Sequence, residues 1–282
     1  MLDVGYYNGK IGRIEEITVP MSDRAVYFGD GVYEAAFVRN NKIFAIDDHL
    51  DRFYRSLELL SINFGMDRGG LKTLLFSLTE KLDDKGDAVL YWQSSRGTAP
   101  RGHSFPKPDV KPSLLAYVKA KPLGDIKKKI KLLAVEDERY LYCHIKTLNL
   151  IPSVLASQKA AEHGCEEAVF HRGAIVTECS HSNVSILKDG VFKTAPLSKY
   201  ILAGTVRKHV IEYCATNGIP VDETAFTLQE LMNADEIVVT SALSFIRSAC
   251  EIDGTAVGGK APALLEKIQN AYLQRTAGEI GE

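Results

Sequence analysis

The spacing of apolar residues along the chain predicts both helices and strands. Apolar side chains recur every three or four positions from Leu50 to Leu60, which is the spacing of a helix with one buried face. We expect this helix to begin at Asp47 or Asp48, since aspartate caps helix starts well. A leucine stripe predicts a second helix over 70–82. Short β-branched and aromatic runs predict strands at 6–7, 17–19, 35–38, 42–46, 88–94 and 114–119.

The second half of the chain mixes the same two patterns. Strands are predicted at 129–135, 184–187, 191–194 and 236–240, and as pairs about Arg172-Gly173 and Asp253-Gly254. Helices are predicted from Pro152, over 205–217, over 228–233 and from Pro262. Because strands outnumber what a βαβ repeat would give, we expect an α+β fold of mixed domains and no Rossmann crossover.

A segment rich in helix and strand breakers divides the chain. Lys121-Pro122-Leu123-Gly124-Asp125 combines proline and glycine, as interdomain connections do. We therefore expect an N-terminal α+β domain over 1–120, a linker over 121–125 and a C-terminal α/β domain over 126–282. The C-terminal domain would carry Lys146.

Charge and composition exclude several classes of partner. A formal net charge of -2 argues against a nucleic-acid-binding protein, whose affinity comes from clustered cations. Without a cationic leader at Met1 or an apolar run that spans a bilayer, the protein is expected to be cytoplasmic and to bind no membrane. The five cysteines are scattered and the seven histidines lack ligand spacing, so we expect reduced thiols and no metal. Small molecules or a second copy of the chain remain as partners.

Lys146 is the first candidate for chemistry. It stands among apolar neighbours in the segment 143–150, where burial would favour its neutral, nucleophilic form. A lysine in such a run more often extends its ammonium to solvent, so the assignment depends on other residues. Glu178 ends a predicted strand, Gly204-Thr205-Val206-Arg207 opens a predicted helix whose free amides attract anions, and Arg52 adds a cation. An amine, a carboxylate and an anion site are what pyridoxal phosphate requires.

The segments around these residues resemble the fold-type IV pyridoxal-phosphate enzymes. That family includes D-amino acid aminotransferases, branched-chain aminotransferases and aminodeoxychorismate lyase. The matching segments are Tyr27-Phe28-Gly29-Asp30-Gly31-Val32-Tyr33-Glu34, His49-Leu50-Asp51-Arg52, Ile145-Lys146-Thr147-Leu148-Asn149, Thr177-Glu178 and Ser182-Asn183-Val184. The resemblance implies two mixed α/β domains with the active site in the cleft between them.

The same resemblance implies roles for individual residues. Lys146 would form a Schiff base with pyridoxal 5'-phosphate and move the proton of the substrate Cα. Glu178 would pair with the pyridinium nitrogen, and Arg52 would bind the phosphate. The full set of cofactor-binding residues implied in this way is Arg52, Lys146, Glu178, Leu202, Gly204, Thr205, Val206, Ser241 and Ala242.

Another segment indicates the substrate. Arg101-Gly102-His103 resembles the Arg-x-His loop of D-alanine aminotransferases, in which tyrosine, arginine and histidine hold the substrate carboxylate and the loop comes from the partner subunit. Carried over, the substrate-binding residues are Tyr33, Arg101 and His103, in a homodimer. The expected reaction is a ping-pong transfer from a D-amino acid such as D-alanine or D-glutamate to 2-oxoglutarate or pyruvate.

Some positions depart from the family pattern. Val206 and Ala242 stand where residues with a hydroxyl group are usual, and Thr205 stands where isoleucine is usual. Cys179 and His181 bring extra bulk after Glu178. Weaker cofactor retention or an altered substrate range would follow. Three alternatives stay open: a branched-chain L-aminotransferase, an aminodeoxychorismate lyase, which the Arg-x-His segment argues against, and a cofactor-binding protein with little turnover.

Overall fold

The computed structural model describes residues 1–281, which form two compact units with fifteen β-strands and seven α-helices among them. The N-terminal unit contains Met1–Leu123, Ile145–Asn149 and residues 277–281. The C-terminal unit contains Gly124–His144 and Leu150–Thr276. No helix of residues 1–281 is long and apolar enough to cross a membrane.

The N-terminal unit is built on a six-stranded antiparallel sheet. Its strands are β1 (Asp3–Tyr7), β2 (Lys10–Gly12), β3 (Gly31–Arg39), β4 (Lys42–Ile43), β5 (Ala88–Ser95) and β6 (Ser113–Ala120), in the order β2-β1-β6-β5-β3-β4. Its helices are α1 (Arg24–Phe28), α2 (Ile46–Leu59) and α3 (Arg68–Glu80), with one 3-10 turn at Ile14–Glu16. The prediction of a strand at 17–19 is wrong, because these residues have no regular secondary structure.

The two faces of this sheet have different environments. One face packs against α2 and α3 through a hydrophobic core that includes Trp92 and Phe53, both 0% exposed. Because side chains alternate along a strand, Glu34 points to the core face of β3 and Tyr33 to the other face. Burying an aromatic side chain such as Phe53 stabilises the unit by roughly 1.5–3 kcal/mol. The core therefore fixes the position of β3, the strand that carries Tyr33 and Glu34.

The start of α2 differs from the expectation. The helix begins at Ile46, and its N-cap is Ala45 in the left-handed conformation, with no side-chain cap from Asp47 or Asp48. The Ala45 N–H donates instead to Glu279 Oε2 at 3.1 Å. A carboxylate more than two hundred positions away thus replaces the local cap that the sequence predicts.

The C-terminal unit contains a nine-stranded mixed sheet. Its strands are β7 (Ile130–Glu136), β8 (Glu167–Arg172), β9 (Ile175–Cys179), β10 (Asn183–Lys188), β11 (Val191–Thr194), β12 (Val221–Asp222), β13 (Glu236–Ser241), β14 (Phe245–Ile252) and β15 (Thr255–Ala256). Its helices are α4 (Ile151–Glu162), α5 (Thr205–Thr216), α6 (Leu228–Met232) and most of α7 (Pro262–Ile280).

The sheet order is β12-β11-β10-β13-β14-β7-β8-β9, with β15 beside β14. Pairing is parallel at β12–β11, β14–β7 and β7–β8 and antiparallel elsewhere. Two parallel βαβ connections are present, β7–α4–β8 and β11–α5–β12. The two lie apart in the sheet, with β10, β13 and β14 between them, so no Rossmann crossover repeat forms, and the mixed α+β class is confirmed.

Lys146 lies in the N-terminal unit, not in the C-terminal domain where the sequence analysis put it. The reason is a long-range backbone contact that local patterns do not encode. Thr147 pairs with Val32 of β3 in an antiparallel bridge. The segment Ile145–Asn149 therefore belongs to the N-terminal unit, although the chain on both sides of it belongs to the C-terminal one.

Candidate active site

Backbone hydrogen bonds to β3 hold Lys146 in place. The Tyr33 N–H donates to the Lys146 carbonyl at 2.9 Å, and the Leu148 N–H donates to the Gly31 carbonyl at 3.0 Å. On the preceding side, Ile145 is buried in the N-terminal core at 5% exposure. The Lys146 Nζ lies 4.3 Å from the centroid of the Tyr33 ring. The amine of a half-buried lysine is thus held over the residue expected to contact substrate.

A buried ionic cluster lies on the core face of the same strand. Arg52 Nε donates to Glu34 Oε1 at 2.7 Å, Arg52 Nη2 donates to Glu34 Oε2 at 2.8 Å, and His49 Nδ1 lies 2.8 Å from the same Oε2. Burial by itself would raise the pKa of Glu34, but the charge and hydrogen bonds of Arg52 and the bond to His49 lower it to about 2. Glu34 is therefore an anion that orients the Arg52 guanidinium.

His49 couples this cluster to the lysine. Burial lowers the pKa of His49, the bond to Glu34 opposes that effect, and the positive charges of Arg52 and Lys146 lower the pKa further. Glu34 and His49 lie within the segments that match the family, but the sequence predicts no role for either residue. The sequence does contain a signal that relates His49 to Arg52, because the two residues are three positions apart on a predicted helix and so share a face.

In the C-terminal unit, Glu178 sits at the end of β9 with its carboxylate surrounded by donors. Asn183 Nδ2 donates to Glu178 Oε2 at 2.8 Å, and the Leu202 N–H donates to the same oxygen at 3.0 Å. The Arg139 Nη1 donates to Oε1. Burial raises the pKa of Glu178, and the attraction of Arg139 and the Leu202 hydrogen bond offset this only in part. A more basic carboxylate with a fixed orientation is a strong acceptor for a protonated ring nitrogen.

Arg139 is a residue that the sequence analysis misses. Its Nε donates to Asp137 Oδ1 at 2.9 Å and its Nη2 donates to Asp137 Oδ2 at 3.0 Å. Burial alone would lower the pKa of Arg139, but Asp137 and Glu178 raise it, so the guanidinium stays charged. Arg139 follows β7 in an irregular segment, where neither periodicity nor a motif indicates an active-site position.

The first turn of α5 is a candidate anion site. Gly204 is its N-cap, and no side chain caps the helix start among residues 1–281. A Cβ at Gly204 would overlap Asn183 Oδ1, so only glycine allows this close approach. Thr205 and Val206 are buried at 5% and 2% exposure, which leaves mainly backbone amides for an anion. The Asn183 side-chain amide also donates to the Leu202 carbonyl at 3.0 Å, which ties this loop to Glu178.

Three further residues near the expected phosphate site have contacts or positions that the structure defines. Arg207 is 4% exposed and donates to Thr194 Oγ1 at 3.1 Å and to the Ala195 carbonyl at 2.8 Å, so it secures β11. Ser241 ends β13, where its Oγ lies 2.6 Å from Ser244 Oγ. Ala242 follows in the turn before β14.

The two bulky residues after Glu178 point in different directions. Cys179 is 1% exposed and packs in the hydrophobic core of the C-terminal unit, so the extra volume of this side chain is absorbed there. His181 has a side chain that is 63% exposed and lies 2.9 Å from Glu167 Oε2. Of the two, only His181 adds bulk at the surface of the unit.

Arg101 and His103 contact Phe28, not Tyr33, within this chain. The Arg101 Cζ is 5.0 Å from the centroid of the Phe28 ring, and the His103 ring centroid is 5.4 Å from it. In the part of the chain that the structure describes, neither residue has a hydrogen bond, ion pair or ring contact with Tyr33. Tyr33 instead stacks on Tyr91, with ring centroids 5.6 Å apart.

A model of the family described as amino-transferase class IV matches residues 31–252. The chain belongs to this family of enzymes, so its expected membership among transferases is confirmed.

Relatives of known name cover almost the whole chain. It is 37% identical over 270 residues to a D-alanine aminotransferase of Staphylococcus haemolyticus, covering 95% of each protein. It is 36% identical over 281 residues to the D-alanine aminotransferase of Bacillus licheniformis, covering 97% of this chain and 99% of the relative.

A solved structure shows the fold. A branched-chain aminotransferase from Thermoproteus uzoniensis with norvaline has a TM-score of 0.88 at 24% identity and covers 99% of this chain and 96% of its own. A second branched-chain aminotransferase, solved with pyridoxamine 5'-phosphate, has a TM-score of 0.88 at 22% identity, covering 98% and 94%. At these identities the likeness establishes the architecture alone.

Proposed function

We propose that this class IV aminotransferase is a D-amino acid transaminase that uses pyridoxal 5'-phosphate. The geometric observation that carries the proposal is the Lys146 Nζ, held 4.3 Å above the Tyr33 ring by backbone bonds to β3. Near-full-length similarity to D-alanine aminotransferases supports the choice of substrate class.

The residues present fit the cofactor. Lys146 provides the amine, Glu178 a buried carboxylate, Arg52 an oriented guanidinium, and the start of α5 an uncapped set of backbone amides. Only glycine fits at position 204 beside Asn183, so the backbone at the start of α5 carries no side chain at this position. We assign the remaining contacts to Leu202, Thr205, Val206, Ser241 and Ala242. When bound, the cofactor supplies an aldehyde carbon for the amino group and a ring that accepts electrons.

The protein's own side chains then have separate tasks. Lys146 Nζ takes the proton from the substrate Cα and returns it during reprotonation. Glu178 keeps the ring nitrogen hydrogen-bonded, and its oxygens are held in position by Asn183, Leu202 and Arg139. Arg52 contributes a fixed cation for the phosphate, and its orientation is set by Glu34.

A fixed carboxylate position explains the selectivity for D-substrates. We assign substrate carboxylate binding to Tyr33, with Arg101 and His103 contributed by the partner subunit. Lys146 reaches the substrate from one face, so the Cα hydrogen must point toward its amine. Once the carboxylate is held, only one enantiomer presents the hydrogen in that direction. The amino acid and its 2-oxo acid are the small-molecule partners.

An exposed apolar surface supports the homodimer. Ile151, Val154 and Leu155 lie on one side of α4 and are 66%, 58% and 65% exposed. The preceding segment adds Tyr140 and Tyr142 at 59% and 64%. Large exposed apolar side chains are typical of a protein interface when they cluster, and we assign these side chains to contacts with a second copy of the chain. The five cysteines are all free thiols, which agrees with the expected cytoplasmic location.

The proposal is tested by half-reactions of the purified, cofactor-loaded enzyme with single amino acids. D-alanine and D-glutamate should each change the absorbance spectrum of the bound cofactor during the assay, whereas L-leucine should leave that spectrum unchanged. Conversion by L-leucine alone would make the enzyme a branched-chain L-aminotransferase. Borohydride reduction should fix the cofactor to wild-type protein, and a persisting covalent adduct in Lys146→Ala protein would disprove the assignment of the lysine.

A further inference from the structure

Helix α1 supports the segment that contains Arg101 and His103, here called the Arg-x-His loop (residues 96–104). Its backbone is joined to the start of α1 by hydrogen bonds. The Arg24 N–H donates to the Gly97 carbonyl at 3.0 Å, and the Ala99 N–H donates to the Ser22 carbonyl at 3.1 Å. The loop therefore begins from a fixed point beside α1.

The Arg24 side chain reaches the tip of the same loop. Its Nη1 donates to the carbonyl of Gly102 at 2.7 Å and to that of Ser104 at 3.4 Å. Gly102 is the residue between Arg101 and His103, so this bond holds the peptide that joins the two. The Arg24 residue is 4% exposed, whereas residues 101–105 are all exposed. A buried cation thus holds the exposed tip of the loop.

Asp30 ties both ends of the loop to one carboxylate. Arg24 Nε donates to Asp30 Oδ2 at 2.7 Å, and Arg96 Nε donates to the same oxygen at 3.0 Å. Arg96 also donates from Nη1 to the Ser61 carbonyl at 2.9 Å and from Nη2 to the Leu60 carbonyl at 2.8 Å. Because Arg96 begins the loop and Arg24 holds its tip, a shift of either arginine would move the segment between them.

Phe28, at the other end of α1, contacts the two functional side chains. Its ring centroid lies 5.0 Å from the Arg101 Cζ, 5.4 Å from the His103 ring centroid and 4.8 Å from the Arg24 Cζ. Cations near an aromatic face are attracted by its quadrupole. Phe28 thus limits the rotation of Arg101 and His103, while Arg24 limits the movement of their backbone.

We propose that Arg24 and Phe28 are positioning residues that hold Arg101 and His103 in the geometry needed to bind a substrate carboxylate. The inference rests on the proposed function, in which those two residues bind that carboxylate. Ordering the exposed tip of the loop costs backbone conformational entropy. If α1 imposes that order before substrate arrives, the loss does not occur during binding, and the substrate KM is lower.

The test compares Arg24→Lys with Arg39→Lys in the cofactor-loaded enzyme. Lysine keeps a cation near Asp30 but lacks the second nitrogen that reaches Gly102. Arg39 pairs with Asp87 and ends β3, whereas the loop follows Ser95 of β5, which pairs with Gly31 at the opposite end of β3, so Arg39 is the matched control. We expect Arg24→Lys to raise KM for D-alanine about tenfold while kcat changes less than about threefold. Arg39→Lys should leave both constants near wild type.

A substrate without a carboxylate distinguishes a general structural role of Arg24 from the proposed positioning of the carboxylate-binding residues. Ethylamine is D-alanine without that group, and its slow half-reaction should proceed equally in wild-type and Arg24→Lys protein. An equal loss with ethylamine and D-alanine would overturn the proposal, as would a D-alanine KM equal to that of Arg39→Lys. If Arg24→Lys does not fold, Phe28→Leu replaces it, and an unchanged D-alanine KM in that variant overturns the proposal.

Arg101→Ala distinguishes failure of this inference from failure of the proposed function. If Arg101→Ala leaves the D-alanine KM unchanged, the carboxylate assignment is wrong and the role of α1 falls with it. If Arg101→Ala raises KM and the α1 variants do not, the carboxylate assignment stands and only the positioning role is disproved.

Discussion

Arg52 and Glu34 form a two-point ion pair in which Arg52 Nε lies 2.7 Å from Glu34 Oε1 and Nη2 lies 2.8 Å from Oε2. Glu34 is 0% exposed and Arg52 has a side chain that is 11% exposed. The pair joins strand β3, which carries Tyr33, to helix α2. It therefore links the stability of the N-terminal unit to the orientation of the cation assigned to the phosphate.

Replacing Glu34 with glutamine should destabilise the protein and weaken cofactor binding together. The change removes the charge that offsets buried Arg52, and breaking such a pair costs roughly 3–5 kcal/mol. We expect the free energy of unfolding to fall by about that amount and the cofactor Kd to rise about tenfold. Urea unfolding and cofactor titration measure the two effects. Asp87→Gln, which breaks the Arg39 pair away from the assigned site, should leave the cofactor Kd unchanged.

The lowered pKa of Glu34 also predicts how stability depends on pH. Its folded-state pKa of about 2 lies below the ordinary value of 4.5, so its contribution is complete above pH 4.5 and is lost as pH falls toward 2. The difference corresponds to roughly 3 kcal/mol. Between these pH values, wild-type protein should lose melting temperature more steeply than Glu34→Gln protein. Parallel Tm curves for the two proteins would contradict the assigned ionisation.

Glu178→Gln should slow the half-reaction far more than it alters folding. Glutamine can keep bonds with Leu202 and Asn183 but supplies no negative charge to a ring nitrogen. A decrease of roughly 10²-fold in rate is expected, which is the size typical for loss of one electrostatic stabiliser. Stopped-flow absorbance with D-alanine measures it. The comparison is Glu167→Gln, because Glu167 is a buried carboxylate of the same unit that accepts a hydrogen bond from Ser182. This variant should keep a rate much closer to wild type.

Gly204→Ala tests the anion site at α5. The backbone of Gly204 is in the extended region, so alanine causes no conformational strain, and the defect must come from the overlap with Asn183. We expect weaker cofactor binding and a slower half-reaction, since Asn183 also holds Glu178. Cofactor retention after gel filtration measures the first effect. At Gly124 a Cβ meets nothing within 4 Å, so Gly124→Ala should bind cofactor normally.

Leu155→Glu tests the dimer assignment. A charge in the exposed apolar surface of α4 should favour monomers, and a monomer lacks the partner's share of the carboxylate site. Light scattering should therefore show a halved mass. Steady-state kinetics should show a raised KM for D-alanine. Leu59→Glu alters a leucine of α2 that is 46% exposed and should leave the mass unchanged. A fully active monomer would exclude the contribution of a partner subunit.

Local patterns are sufficient for most regular elements of this fold. The apolar spacing of Leu50 and its neighbours predicts α2, and turn residues such as Asp189-Gly190 locate the hairpin between β10 and β11. Helix α1 gives no such signal, because five residues are too few to display a helical period. The N-cap of α2 is not predictable locally, because its acceptor, Glu279, is distant in sequence.

The site shows the same division between local and long-range information. Lys146 and Glu178 are recognisable because each lies in a characteristic segment. Arg139 is not, since its role depends on the approach of an irregular segment to β9. The assignment of Lys146 to a unit is wrong for a related reason, because the bridge from Thr147 to Val32 spans more than a hundred residues.

The insertion of Ile145–Asn149 into the N-terminal unit has a consequence for gene fragments of this enzyme. A truncated gene that ends at Leu123 would encode the sheet, α2 and the Arg52 cation, but it would lack the stretch that brings the amine to β3. A fragment that starts at Gly124 would encode the amine without the strand that orients it. Neither half can be transplanted as a self-sufficient catalytic module, and recombination between relatives at the linker would always separate Lys146 from its native β3.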